Sequence, residues 1–428
     1  MSEITRRDLL KTGGVAVSMS LAGCTSLIED DSSPDSDRGN KSDSDTPSSS
    51  NPTGYKPMFR NDIFRTGYFP DASVPDAVKL DWQIDGINKW THTAAKGSPT
   101  VVDDTVYVGG DTGALYSITL DGGINWGVAT HPSQNGIHGT PAVEGDVVYI
   151  GAYDGAMYAY DRGSGDLIWR TDIAGSIGSS PAYYKGKIYV SVETPKPSGV
   201  MAVLDAETGE ILWKDTRIGN HPHSSVALDP GNNVMTVGAN DGILYAWDLE
   251  DPQFRWTFGT QGSKEANRHQ AIKGPIMVYD GGAFFGSWDH NVYRVDLNSG
   301  EEDWRFEADG MIMSGAAVDP NTGTVYIGSH DHNLYALDSQ TGDMEWSAET
   351  GGWIIGSPTV AGNKVLTGSY DERLHAFDKE TGDKVWDFKA NGWITSNPQV
   401  YGDRVVFTSR ADYQNDDEAG SLYMLKAL

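Results

Sequence analysis

Short runs of apolar residues alternate with polar turn clusters along most of the chain, at intervals of about ten residues. Within residues 313–354 these runs are 314–318, 324–328, 333–338 and 344–348. The second and third runs alternate apolar and polar positions, which is the period of a half-buried β-strand, and no helical period occurs. The pattern therefore predicts a unit of four short antiparallel strands.

The unit recurs, and a tryptophan marks each copy at spacings of 40 to 48 residues. Seven of these tryptophans end a segment of the form Leu-Tyr-Ala-x-Asp-x-x-Thr-Gly-x-x-x-Trp, most clearly 334–346 and 374–386. Repeats of this length indicate a propeller or a solenoid, and hairpin turns within each unit favour the propeller. The eight tryptophans are Trp82, Trp126, Trp169, Trp213, Trp256, Trp304, Trp346 and Trp386.

The motif has a mechanical explanation. Its aspartate, for example Asp338, can accept hydrogen bonds from amides of the turn between the third and fourth strands. Its glycine, for example Gly342, supplies a positive φ in that turn. The tryptophan on the outer strand can then fill the wedge between neighbouring blades. We therefore interpret the regular tryptophans as structural.

The last copy of the repeat is incomplete. Residues 398–425 provide three strands without a motif tryptophan, whereas Trp82 lies in an apolar segment with no strands before it. An N-terminal strand that completes the last blade would close the ring and remove two sheet edges. We predict an all-β, eight-bladed propeller with four-stranded blades of about 44 residues.

The segment Ala-x-Asp-x-x-Thr-Gly-x-x-x-Trp resembles the tryptophan-docking motif of the pyrroloquinoline-quinone (PQQ)-type propeller repeat. Quinoprotein dehydrogenases and the non-catalytic BamB-like outer-membrane assembly scaffolds share this repeat. The resemblance covers nearly all of residues 57–428, and residues 58–68 resemble the opening segment of such proteins. Two copies depart from the pattern: Glu250-Asp251-Pro252 replaces Thr-Gly in blade four, and blade one is one residue short.

The first 56 residues have a different composition. Arg6-Arg7 followed by a short apolar run has the form of a twin-arginine export signal over residues 1–23. Leu21-Ala22-Gly23-Cys24 resembles a lipobox, and Cys24 is the only cysteine of the chain. Residues 24–56 then read as a lipidated cysteine and a disordered tether rich in Ser and Asp. We expect a lipid anchor on Cys24 that holds the propeller at the outer face of the cytoplasmic membrane, exposed at the cell surface.

The formal charge of −28 becomes −29 when residues 1–23, with three basic and two acidic groups, are removed. Such a charge argues against nucleic acid and anionic lipid as partners. Together with the export signal, it resembles secreted proteins of salt-in halophiles. In molar salt the charge would keep the surface hydrated rather than steer partners.

Loops that join the second and third strands, or join successive blades, lie on one face of a propeller, which we call the loop face. Nine of the ten histidines fall in these loops, and loops are the usual place for binding residues. Two rings of varied residues are predicted there. The ring after the second strands contains Tyr153, Asn240, Trp288, His330, Tyr370 and Arg410, and the ring before the innermost strands contains Lys96, His138, Gly178, His223, Lys273, Met313, Ile355 and Thr395.

These rings predict a basic half facing an aromatic half, suited to an anionic, flat or carboxylate-bearing ligand. Packing of the loops on one another is the alternative interpretation. The candidate ligand face consists of Lys96, His138, His223, Lys273, Trp288, His330, Trp353, Tyr370 and Trp393. The aspartates that recur after the second strands, such as Asp331, are most simply turn-stabilising, and we predict neither a metal site nor a catalytic residue.

Three functions remain open. We favour a non-catalytic scaffold that binds other envelope proteins or peptides and needs no cofactor. A PQQ-dependent alcohol or sugar dehydrogenase with Ca²⁺ is the alternative that the resemblance implies, although the calcium-ligand set of Glu, Asn and Asp cannot be placed on matching positions. A solute- or glycan-binding surface receptor is the third.

Overall fold

The predicted unit occurs eight times in the computed structural model, which describes residues 57–89, 97–130, 136–264, 270–410 and 419–428. Each unit is a four-stranded antiparallel blade, and residues 68–69 add a short parallel strand to the sheet of one blade, beside Val360 and Ala361. Besides strands, the described residues contain a 3-10 turn at Phe59–Asn61 and one short helix, α1 (Gln261–Lys264). The all-β, eight-bladed propeller is therefore confirmed. The export signal, Cys24, the tether and Lys96 lie outside the described residues.

Two strands, β1 (Tyr68–Phe69) and β2 (Val78–Asn88), precede the first complete blade. Blade one contains β3 (Thr100–Val102), β4 (Thr105–Gly109), β5 (Ala114–Thr119) and β6 (Ile124–Ala129). Blade two contains β7 (Ala142–Glu144), β8 (Val147–Gly151), β9 (Ala156–Asp161) and β10 (Leu167–Asp172). Blade three contains β11 (Ala182–Tyr184), β12 (Lys187–Glu193), β13 (Gly199–Asp205) and β14 (Ile211–Ile218). Blade four contains β15 (Ala227–Asp229), β16 (Val234–Gly238), β17 (Ile243–Asp248) and β18 (Phe254–Gly259).

The second half of the ring follows the same order. Blade five contains β19 (Met277–Tyr279), β20 (Gly282–Gly286), β21 (Asn291–Asp296) and β22 (Glu302–Glu307). Blade six contains β23 (Ala317–Asp319), β24 (Thr324–Gly328), β25 (Asn333–Asp338) and β26 (Met344–Glu349). Blade seven contains β27 (Thr359–Ala361), β28 (Lys364–Gly368), β29 (Arg373–Asp378) and β30 (Lys384–Lys389). Blade eight contains β31 (Gln399–Tyr401), β32 (Arg404–Thr408) and β33 (Gly420–Ala427), with β2 as its outer strand.

The closure of the ring follows the prediction. Strand β2 pairs antiparallel with β33, in a register that places Trp82 opposite Met424. In blade six the innermost strand begins at Ala317, three residues later than the apolar run suggests. The reason is that the chain before this strand bonds to the next blade: the Gly315 amide donates to Ser357 Oγ of blade seven at 2.8 Å.

This bond between neighbouring blades is one of several hydrogen bonds around the channel that we did not predict. At the start of six innermost strands, a backbone amide of one blade donates to a side-chain oxygen of the next. The bonds run from Ser98 to Thr140 (3.1 Å), Thr140 to Ser180 (2.9 Å), Ser180 to Ser225 (2.9 Å), Gly315 to Ser357 (2.8 Å), Ser357 to Asn397 (2.7 Å) and Asn397 to Ser98 (2.8 Å). Small polar residues at these positions therefore join the blades near the axis.

The motif aspartate and glycine act as predicted. Asp338 accepts hydrogen bonds from the amides of Gln340 and Thr341, both at 2.8 Å. Gly342 has φ 75°. A Cβ added to Gly342 would lie 2.7 Å from the indole of Trp304 in the preceding blade, so this glycine is required by space as well as by conformation.

The motif tryptophans join each blade to the next. Seven of the eight indole nitrogens donate at 2.8–3.1 Å to a backbone carbonyl of the following blade or, for Trp386, to Pro75 just before β2. No such bond is found for Trp213 within the described residues. It faces blade four, where Glu250-Asp251-Pro252 interrupts the motif. Apolar clusters between adjacent blades complete these contacts; one of them joins Tyr326 of blade six to Val360 and Phe377 of blade seven.

Residues 57–69 cross the axis and bind the innermost strands, which the sequence did not reveal. Their carbonyls accept from amides of blades two, four, five, six and seven. Arg60 and Arg65 are fully buried and donate mainly to carbonyls around the axis, for example Arg65 Nε to Val226 O at 2.9 Å. Burial lowers the pKa of Arg60 to about 9 and that of Arg65 to about 10, so both remain charged at neutral pH. The segment therefore forms a polar plug across the central channel.

Among the described residues, no helix has the length and apolar composition needed to cross a membrane.

Candidate functional site

The loop after each second strand is built on one repeated aspartate. Asp331 accepts from the amide of Asn333 at 2.9 Å and from the hydroxyl of Tyr335 at 2.9 Å. Asp241 and Asp289 repeat this arrangement with the tyrosine four residues later. In blade seven His375 replaces the tyrosine and bonds Asp371 at 2.9 Å. These carboxylates hold the loops in shape, as the turn-stabilising interpretation requires.

Asp371 shows how firmly the loops hold these carboxylates. Burial alone would raise its pKa, but the hydrogen bond and charge of His375, with amides of Gly351 and Arg373, lower it to about 2. Hydrogen bonds from loop amides to the repeated aspartates therefore shape the backbone from which the varied side chains project.

The predicted ring before the innermost strands lines the mouth of the channel. A narrow cavity of about 80 Å³ lies between the mouth and the plug, with Phe59 on its wall. This volume suits a few water molecules and not an organic ligand. Its lining includes His138, Gly178, His223, Lys273, Met313, Ile355 and Thr395.

A wider cavity of about 660 Å³ opens beside the channel on the loop face of blades five to eight. We call it the aromatic funnel; its lining includes Lys273, Trp288, Met311, His330, His332, Trp353, Tyr370 and Trp393. Rings along its wall are in contact: His330 stacks on Trp353 at 4.9 Å and Tyr370 on Trp393 at 4.4 Å between centroids. The predicted aromatic half is therefore assembled into one surface.

Two cations support the funnel. Lys273 Nζ lies 4.1 Å from the ring centre of Trp288, and among the predicted cations that the structure describes it alone lines both the funnel and the channel. Arg410 is fully buried, donates to the hydroxyl of Tyr370 at 3.0 Å and lies 5.5 Å from the ring centre of Trp393. Arg410 therefore positions the aromatic wall rather than facing a ligand.

His330 is a largely buried polar residue in the wall of the funnel. Burial lowers its pKa to about 4, so the imidazole is neutral at pH 7. Neither of its ring nitrogens has a hydrogen-bond partner among the described residues. Both nitrogens are themselves buried, so His330 forms part of the wall of the funnel and supports Trp353 by stacking.

The structure thus divides the predicted ligand face. Lys273, Trp288, His330, Trp353, Tyr370 and Trp393 meet in the funnel, whereas His138 and His223 line only the channel. His332, one of the loop-face histidines, also lines the funnel, as does Met311, which was not singled out from the sequence. Glu193 beside the channel was missed too, because its position in blade three differs from the pattern of the other blades.

The fold and the site define the class of protein. It is an eight-bladed β-propeller whose varied loop face lies over a plugged channel. The chain belongs to the family described as outer membrane protein assembly factor BamB, whose model matches residues 80–162, 119–289 and 288–426.

Relatives of this chain include proteins described as dehydrogenases and as assembly factors. The chain is 27% identical over 155 residues to quinohemoprotein alcohol dehydrogenase ADH-IIG of Pseudomonas putida, covering 33% of this chain and 21% of that protein. It is 24% identical over 159 residues to outer membrane protein assembly factor BamB of Shewanella oneidensis, covering 34% and 38%. The chain thus spans well under two thirds of the length of these relatives.

The solved structure of quinohemoprotein alcohol dehydrogenase ADHIIG from Pseudomonas putida HK5 superposes with a TM-score of 0.73 at 16% identity. The match covers 87% of this chain and 80% of that one. Identity this low establishes the fold alone.

Proposed function

We propose that the protein is a non-catalytic envelope scaffold that binds a segment of another envelope protein in the aromatic funnel. In this proposal it is exported by the twin-arginine route and anchored by lipid on Cys24. Membership in the BamB family supports the scaffold role. The observation that carries the proposal is the exposure of Trp353.

Trp353 is 47% exposed, the one exposed tryptophan among the described residues. It is held from one side by His330 and contacts Tyr370 on the other, at 5.5 Å between centroids. A rigid tryptophan at the edge of an apolar recess is typical of the anchors that dominate protein interfaces. The exposed apolar area would therefore be covered by a partner rather than by this chain.

The dehydrogenase alternative would require a site for calcium and PQQ. Calcium takes six to eight oxygen ligands. In the described part of the loop face, the acidic and histidine groups that converge are one carboxylate and two imidazoles, a nitrogen-rich set. The repeated aspartates are already bonded to amides and tyrosine hydroxyls. The described residues do not fit a calcium–quinone site, and we derive no reaction step for one.

Binding of a small solute or glycan is a second candidate, favoured by the size of the funnel. A volume of about 660 Å³ lies within the range of small-molecule sites. Titration of tryptophan fluorescence with free sugars tests this candidate. Saturable quenching by a sugar, lost on Trp353→Ala, would favour a receptor over a scaffold.

The scaffold is tested by site-specific photo-crosslinking in native membranes, with a photoreactive phenylalanine analogue at position 353 of the full chain. We expect one dominant envelope protein to be crosslinked, and the yield to fall at least about tenfold with Trp393→Ala, because that ring supports the wall. Position 344 is the matched control, since Met344 is 52% exposed on an outer strand. The same products from both positions, or none from 353, would contradict the proposal.

Incubation with PQQ and Ca²⁺ provides an independent test. We expect no stoichiometric retention of the quinone after gel filtration and no dye reduction with alcohols or sugars. Retention with turnover would overturn the non-catalytic assignment.

A further inference from the structure

Three ligating side chains converge beside the channel, apart from the aromatic funnel. They are Glu193 at the end of β12 and His221 and His223 in the loop between blades three and four, and their ligating atoms lie within 4.8 Å of one another. His223 Nδ1 is 3.0 Å from Glu193 Oε1, and His221 Nδ1 is 3.7 Å from Glu193 Oε2. Ligand atoms around a tetrahedral zinc ion with bonds of about 2.0–2.1 Å are about 3.3 Å apart. The observed separations lie on both sides of this value.

The hydrogen bond of His221 orients it as a ligand. Its Nε2 lies 3.1 Å from the carbonyl oxygen of Lys196. A carbonyl oxygen only accepts, so Nε2 carries the proton and the lone pair of a neutral ring is at Nδ1, facing Glu193. A histidine that binds metal usually donates its other N–H to a carbonyl or carboxylate in this way.

The buried carboxylate of Glu193 requires a compensating positive charge. Glu193 is only 8% exposed, and burial of a charge without compensation is costly. A lone pair of His221 directed at the carboxylate is repulsive unless a proton or a metal ion lies between them. Lys273 is within electrostatic range of Glu193, but burial lowers the pKa of Lys273 and its Nζ lies over Trp288.

The backbone holds all three residues in place. Glu193 is fixed by a bridge to Ser176, whose carbonyl accepts from the Glu193 amide at 2.8 Å. The carbonyl of His221 accepts from the Asn240 amide at 3.1 Å. Ser191 Oγ donates to the Ser224 carbonyl at 2.8 Å and so ties the histidine loop to β12. The site is therefore preorganised rather than assembled by chance contacts of mobile side chains.

We infer that Glu193, His221 and His223 form a site for a divalent transition-metal ion of the Zn²⁺ class, with an open coordination position toward the channel. Two imidazoles and one carboxylate favour such an ion over Mg²⁺ or Ca²⁺. Three protein ligands leave a fourth tetrahedral position for water or for a donor atom of a bound molecule. His223 also lines the channel cavity, so the site lies at the wall of that cavity. The inference is independent of the proposed scaffold role.

Cobalt(II) is the probe that tests the site, because tetrahedral Co²⁺ absorbs strongly in the visible region and octahedral Co²⁺ does not. The full chain is titrated with Co²⁺ in excess Mg²⁺, which occupies weak sites among the 60 acidic residues. We expect one equivalent to bind with a tetrahedral spectrum and to be displaced by Zn²⁺. Glu193→Gln and His223→Gln should each weaken binding by more than the roughly 10- to 100-fold that loss of a supporting hydrogen-bond partner costs.

The matched control is His290→Gln with His332→Gln, which removes two loop-face histidines outside the cluster and should leave the affinity unchanged. Absence of tetrahedral Co²⁺ in the wild-type protein, or retention of its spectrum in Glu193→Gln, overturns the site. If the variants do not fold, X-ray absorption spectroscopy of the zinc-loaded wild-type protein identifies the ligands of the zinc ion. Two imidazoles with oxygen ligands support the inference, and any other number of imidazoles contradicts it.

Discussion

The two faces of the propeller use the same blades in opposite ways. On the motif face, corresponding positions keep the same residues and the same bonds: tryptophan to carbonyl, aspartate to amide, glycine under an indole. On the loop face, the position after the second strand changes from blade to blade, from Tyr153 to Asn240 to His330. Repetition is found where each blade must fit its neighbour, and variation in the side chains that the loops present on the loop face.

The comparison has an informative exception on each face. Trp213 keeps its residue type, but no indole bond is found for it among the described residues, and it faces blade four, where Glu250-Asp251-Pro252 replaces Thr-Gly. The loop-face aspartates are repeated although their neighbours vary, because they hold the loop backbone. A residue that recurs from blade to blade therefore has a structural role on either face. Candidate ligand residues are those that differ between blades while the residues around them recur.

The largest expected effect is on the motif face. Trp304→Ala should lower the free energy of unfolding by about 3–5 kcal/mol, since a large buried ring and its hydrogen bond to Ser339 O are lost. Denaturant unfolding measures this. Trp213→Ala should cost about 1 kcal/mol less, because it has no indole bond to lose. Trp353→Ala on the loop face should change stability by only about 0.5 kcal/mol. Equal losses for Trp304 and Trp353 would remove the distinction between the faces.

Gly342→Ala tests whether the tryptophan or the backbone conformation requires the motif glycine. The added Cβ would meet the Trp304 indole at 2.7 Å with φ at 75°. Gly186→Ala is the matched control, since Gly186 has φ 73° and no atom within 4 Å of an added Cβ. The control should cost about 1–2 kcal/mol, from backbone strain alone, and Gly342→Ala clearly more. Similar melting temperatures for the two variants would show that conformation alone requires glycine.

The smallest effect concerns pH and the funnel. The folded protein holds the pKa of His330 near 4, below its usual 6.5, because the ring is buried. The stability linked to His330 is therefore fully present above about pH 6.5 and is lost as the pH falls toward 4. His330→Gln should reduce the loss of stability between pH 7 and pH 5, measured by denaturant midpoints, and an unchanged pH dependence would contradict this assignment. Asp371, with its pKa near 2, contributes to a separate decline below pH 4.

Much of the fold could be predicted because blades repeat. The alternation in 324–328 and 333–338 matches β24 and β25 residue for residue, and the unpaired Trp82 required a strand that completes the last blade. The plug was not predicted, because residues 57–69 have no counterpart in the repeat and their partners are backbone groups of several blades. Backbone amides and carbonyls are present in every strand, so the sequence of a blade gives no signal that they bind the plug.

The site was predicted in its components but not in its grouping. Sequence position placed His138, His223 and Trp353 on one face, since blade topology fixes the face of every loop. The structure alone separated the channel from the funnel and placed Glu193 beside His221 and His223. The amino-acid sequence by itself determined the repeat, the blade count and the loop face, because these depend on local periodicity. Only the tertiary structure decided which loops from different blades meet, because that depends on how eight wedge-shaped sheets close around one axis.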